Sequence, residues 1–135
     1  MRVSAGSLFW AGLCLAGFSV QAQEVPRLPS GLKAEVLEAF VELQPDGVLN
    51  YARFRFVVPQ IARTENMDPA DFAGDFAVLC AQYAVPQLER ETHRIDRVVI
   101  SMSDRPVDFG VSDPEAVQYF EQFSLKDGRC HWEAY

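Results

Sequence analysis

Asp104, Arg105 and Asp108 lie within five residues of one another, in the most polar segment of the chain, Ser101-Met102-Ser103-Asp104-Arg105-Pro106-Val107-Asp108-Phe109-Gly110. An aspartate beside an arginine supplies an acceptor and a donor fork, which suits a ligand amine or carboxylate. The same pair suits the backbone groups of a turn equally well. Loops that follow strands often carry sites, so Asp104, Arg105 and Asp108 are the candidate ligand-binding residues. The tripeptide Asp108-Phe109-Gly110 matches the metal-holding tripeptide of kinases, but no Gly-rich loop or catalytic-loop pattern accompanies it.

Other reactive side chains are dispersed. His131 and Glu133 stand two apart on an expected strand and so share a face. A zinc site needs three or four ligands, and no third is near in sequence. His93 lies among charges in Glu89-Arg90-Glu91-Thr92-His93-Arg94, as a solvated residue would. There is no G-x-S-x-G serine and no Gly-rich phosphate loop. The carboxylates are many and scattered, so no acid–base pair can be picked by spacing. No metal site, cofactor or catalytic residue is assigned.

The elements that position these residues follow from periodicity. Leu32 to Leu43 carries two patterns: Leu37, Ala39, Val41 and Leu43 alternate, while Leu32, Val36 and Phe40 recur every four residues. The turn Pro45-Asp46-Gly47 favours the strand reading. Beyond it Val48, Ala52, Phe54, Phe56 and Val58 alternate along one face, with Arg53 and Arg55 on the other. After a loop at 59–67, Asp68-Pro69-Ala70-Asp71 opens a helix. Its stripe is Phe72, Phe76, Leu79 and Tyr83, with Cys80 beside it. Pro86 ends or kinks it, and Leu88 to Asp96 is charged. Arg97 to Ser103 holds the β-branched run of a central strand. Ser112-Asp113-Pro114-Glu115 looks like the cap of a second, short helix. Phe120 to Leu125 and Arg129 to Tyr135 form a hairpin about Lys126-Asp127-Gly128. The sum is an α+β domain: a mostly antiparallel sheet of about five strands with one main helix packed on one face.

The first 22 residues read as a secretory signal peptide. Arg2 supplies positive charge, Ser7 to Val20 is apolar, and Val20-Gln21-Ala22 presents small residues at a cleavage site. The apolar run is short for a membrane span, which takes roughly 20 residues, so no membrane anchor is expected after cleavage. Residues 23–31, with Pro26 and Pro29, read as a flexible leader, and 32–135 as one domain. The net charge of −7 (12 Lys+Arg against 19 Asp+Glu) argues against nucleic acid, which calls for a basic patch. Cys80 and Cys130 remain after cleavage. An even pair in an oxidising compartment reads as a disulfide. The pair lacks the spacing of a C-x-x-C redox motif.

Several segments together resemble a known family. These are Leu79-Cys80 with Tyr83-Ala84-Val85-Pro86, Val98-Val99-Ile100-Ser101 running into Asp104-Arg105-Pro106 and Phe109-Gly110, Phe120-Glu121, and Asp127-Gly128-Arg129-Cys130-His131-Trp132-Glu133. They are similar to a family of small exported proteins of unknown function from alphaproteobacteria of the Rhodobacter type. The likeness covers roughly residues 30–135 and implies a bacterial, periplasmic or secreted domain with no established activity. The resemblance also implies an aliphatic residue at the position of His131, which further weakens a metal site there. The expected function is therefore a non-enzymatic binding or interaction module for an unknown protein or small molecule. The alternative is a small-ligand binder or hydrolase-type enzyme using the Asp104/Arg105/Asp108 loop. Export carries its own test: intact-mass measurement of the product from a bacterial host is expected to show an N-terminus at Gln23, and an intact Met1 would refute it.

Overall fold

Aromatic and β-branched residues at every second position give the central strands one continuous apolar face, and the fold is built to cover it. The computed structural model describes residues 23–63 and 68–134; the stretch read as a signal peptide lies outside them. Five strands, β1 (Glu35–Glu42), β2 (Tyr51–Val57), β3 (Arg97–Ser103), β4 (Gln118–Lys126) and β5 (Arg129–Glu133), form one sheet in the order β1-β2-β3-β4-β5. Every pairing is antiparallel except β2 with β3. Parallel neighbours need a crossover connection, and that connection carries the main helix. The α+β architecture is as the sequence predicts.

The helical run spans 69–88. It begins as a 3-10 turn (Pro69–Phe72), continues as α-helix (Ala73–Val78), widens to π-helix (Leu79–Ala84) and ends as α-helix (Val85–Leu88). Asp68 caps it by accepting from the Ala70 amide at 3.1 Å, and Asp71 accepts in return from the Asp68 amide at 2.8 Å. Pro86 does not end the run. It has no N–H to offer the Gln82 carbonyl four residues back, and that carbonyl accepts instead from Gln23 Nε2 at 2.8 Å.

Phe72, Phe76, Leu79, Cys80 and Tyr83 are buried against Ala52, Phe54 and Phe56 of β2, Val98, Ile100 and Met102 of β3, and Phe123 of β4. Each such large side chain stabilises the fold by roughly 1.5–3 kcal/mol when fully enclosed. The Tyr83 ring stands edge-on to Phe54 and Phe56, with centroids 6.0 and 5.5 Å away.

Three local expectations are corrected. Residues 23–31 are docked: Leu28 is buried in the core, and Ser30 donates through both its amide, at 3.0 Å, and its hydroxyl to the wholly buried Asp75 carboxylate. Ser112-Asp113-Pro114-Glu115 starts no helix. The Asp113 side chain accepts from the Glu115 amide at 3.0 Å and its carbonyl from the Ala116 amide at 3.1 Å, an isolated turn. Val48 belongs to the β1–β2 turn rather than the buried face and is 70% exposed. Asp46 organises that turn by accepting from the Val48 and Leu49 amides and the Tyr51 hydroxyl.

Cys80 and Cys130 are bonded across a Cα–Cα distance of 6.3 Å and staple the π-helical turn to β5. Their sequence separation of 50 closes a large loop. On the chain-entropy account such a loop adds about 4 kcal/mol. Cys80→Ala or Cys130→Ala is therefore expected to lower the unfolding free energy by about that amount, as read from urea unfolding of the oxidised protein. A change under about 1 kcal/mol would show that the staple does not constrain the unfolded chain.

Candidate functional site

With the helix on one face of the sheet, the other face is free for chemistry. Strand alternation puts Glu38, Phe40 and Glu42 of β1, Arg53 and Arg55 of β2, Val99, Ser101 and Ser103 of β3, and Gln118, Phe120 and Gln122 of β4 on it. Register lays two rows across the strands. One runs Glu38, Arg55, Ser101, Phe120; the next runs Phe40, Arg53, Val99, Gln122.

The arginines are held by the β1 glutamates. Arg53 Nε donates to Glu42 at 2.5 Å, and Arg55 Nη1 donates to Glu38. Arg55 is buried, and its Nη2 also donates to the Val107 carbonyl at 2.6 Å. That last bond pulls the β3–β4 loop, residues 104–117, back over the sheet. Phe109 then rests on both guanidiniums, 5.1 Å from that of Arg53 and 5.6 Å from that of Arg55. Its ring also meets Phe40 edge-on at 5.0 Å. Gly110, at φ +80°, takes the left-handed conformation that lets the loop reverse beyond Phe109.

Between loop and sheet lies a cavity of about 250 Å³. Val99, Ser101 and Arg55 form its floor and Val107 one wall; Phe109, Val111 and Phe120 stand at its rim. Val99, Ser101 and Val107 are buried, whereas the three rim side chains are 45–57% exposed. A mostly apolar hollow with a few fixed polar groups is the usual form of a small-molecule site. The Ser101 hydroxyl is buried and has no hydrogen-bond partner among the described residues. The Gln118 carboxamide also has none among them.

The residues singled out from the sequence divide here. Asp108 lies on the cavity's lining. Asp104 and Arg105 do not line it; they close the base of the loop. The Asp104 carboxylate accepts from the Val117 amide at 2.8 Å and from Arg105 Nη2 at 2.9 Å, while its own amide donates to the Val117 carbonyl at 3.0 Å. The Arg105 fork, helped by the Val117 amide and opposed by burial, holds the Asp104 carboxyl below its ordinary pKa. Arg53, Arg55, Ser101, Phe109 and Phe120 form the site with Asp108, and composition did not mark them. Their signal was the polar row opposite the β2 core face, matched by Glu38 and Glu42 four apart on β1. His93 pairs with Glu91 at 2.7 Å on the surface, and His131 is exposed on β5. Among the described residues no three His, Cys, Asp or Glu side chains are grouped to hold a metal.

A two-faced sheet, helix-covered on one side and loop-covered over a hollow on the other, defines the class of this domain. The chain belongs to a family of unknown function, DUF6497, whose model matches residues 13–135. No curated protein and no solved structure matches it.

The clasp at the loop base makes a pH prediction. The Asp104 pKa is lower folded than unfolded, so its stabilisation is present above the ordinary value of 3.8 and is lost as pH falls through the folded value. Asp104→Asn is expected to cost about 1–2 kcal/mol at neutral pH, discounted for the solvent-exposed Arg105 partner. The difference from wild type is expected to shrink as pH falls below 3.8. Urea unfolding across that range checks it; a pH-independent difference would remove the carboxylate's charge from the account.

Proposed function

We propose that this protein is an exported, periplasmic binding module that holds a small molecule between the second face of its sheet and the 104–117 loop. One observation carries the reading: a hollow with an apolar wall and rim whose floor contains a buried hydroxyl, that of Ser101, without a partner among the described residues. Leaving a buried polar group unpaired costs about 1–3 kcal/mol, and a ligand atom that pairs it recovers much of that. Three of the large apolar side chains left exposed, Phe109, Val111 and Phe120, surround the opening.

Binding is favoured over turnover because a serine nucleophile needs a base within hydrogen-bond reach. Ser101 has no such contact among the described residues. In this reading Asp104 and Arg105 keep the loop's shape, and Asp108 edges the opening. The Cys80–Cys130 disulfide is compatible with an oxidising compartment. Among the described residues no helix is long and apolar enough to cross a membrane. The resemblance to exported bacterial proteins points the same way.

Amide-resolved NMR of the 135-residue chain, titrated with a library of small apolar fragments, tests this. Shifts are expected to concentrate at Ser101, 107–111 and Phe120. They should vanish in Ser101→Leu, which fills the floor, and weaken in Phe109→Ala, which opens the rim. Shifts scattered elsewhere, or unchanged in both variants, would sink the proposal.

A further inference from the structure

The charge balance of the cavity names the class of ligand, given that the cavity is a binding site. Two guanidiniums face it, and each is matched by a β1 carboxylate: Arg53 by Glu42 and Arg55 by Glu38. Asp108 adds one exposed negative charge at the edge. An entering anion must displace a glutamate or share its arginine, and it also meets Asp108. An entering cation comes up against two buried or half-buried arginines. The anion thus finds both arginines already paired. The cation finds only Asp108, exposed at the edge where solvent screens its charge. Either route strips a charge of water in a partly enclosed space for little return, which is unfavourable.

The unused hydrogen-bonding capacity is weighted toward donors. The terminal nitrogens of Arg53 have no hydrogen-bond partner among the described residues; only its Nε is engaged. The Ser101 hydroxyl can donate, and the Gln118 carboxamide offers an N–H₂ group. Around these donors stand Val99, Val107 and the rings of Phe109 and Phe120. The cavity volume of about 250 Å³ corresponds to roughly eight waters at their liquid volume. That accommodates a single ring or a short branched alkyl group with one small head. We infer that the ligand is a compact, uncharged molecule with an apolar or aromatic body and one carbonyl-type acceptor directed at Ser101 and Arg53.

Three probes of nearly equal shape, benzamide, benzoate and benzylamine, separate the possibilities when titrated into the 135-residue chain and followed at the Ser101 and Phe120 amides. Benzamide is expected to bind about tenfold or more tighter than either charged probe. Ser101→Ala is expected to weaken benzamide about fivefold, the loss of one neutral hydrogen bond. Benzoate or benzylamine binding as tightly as benzamide would overturn the neutral class yet leave the site itself standing. If none of the three moves the cavity resonances while library fragments do, the carbonyl acceptor is wrong. If nothing moves them, both this inference and the binding site it rests on fall.

Discussion

The Arg55 guanidinium, held between Glu38 on one side and the Val107 carbonyl on the other, is the joint on which the second half of the molecule turns. A sheet with a single helix has one face left over, and bare backbone flanked by small residues would not close it. Arg55 is long enough to cross from β2 to the loop. Its bidentate head can satisfy a carboxylate and a carbonyl at once. Burying such a charge is tolerated only because both partners are in place. The Val107 carbonyl is the loop's tether to the sheet, and Glu38 offsets the charge that makes it.

The two faces are stabilised by different physics. The helix side is held by nondirectional burial of aromatic and aliphatic surface around Phe56, Phe72 and Leu79. The loop side is held by directional contacts: the Arg55 fork, the Asp104 clasp and the Phe109 ring beside the Arg53 and Arg55 guanidiniums. Directional contacts set shape without filling space, so a hollow can persist on that side while the other is packed closely. The disulfide acts on the packed side alone, tying Cys80 to Cys130.

How much could be read from the chain depended on whether the signal was local. The alternation of Ala52, Phe54 and Phe56 and the stripe Phe72, Phe76, Leu79, Tyr83 each fix an element by themselves, so strands, helix and sheet class were legible. So was the pairing of the two cysteines. The Ser112–Glu115 segment misled because an aspartate receiving amide bonds two and three residues on is chemically the same at a helix cap and at an isolated turn. Of the two readings of Pro86, an end or a kink, the end does not occur: the run continues to Leu88, and the carbonyl left over accepts from Gln23, far away in sequence. The cavity was invisible for a similar reason. Asp104, Arg105 and Asp108 drew attention as a cluster, yet the first two serve the loop's own backbone. The floor is assembled from alternate residues of two strands, β2 and β3, and no single window of sequence contains it.

The irregularity at Leu37, where the β1–β2 register slips between Val36 and Glu38, reaches beyond local geometry. β1 is an outer strand of the sheet, and its free backbone groups would otherwise template another chain. The slip interrupts the regular spacing that a docking strand requires. Glu35, exposed and without an ion-pair partner among the described residues, adds a charge to that rim. The slip at Leu37 thus also blunts the open edge of the sheet against the addition of another strand.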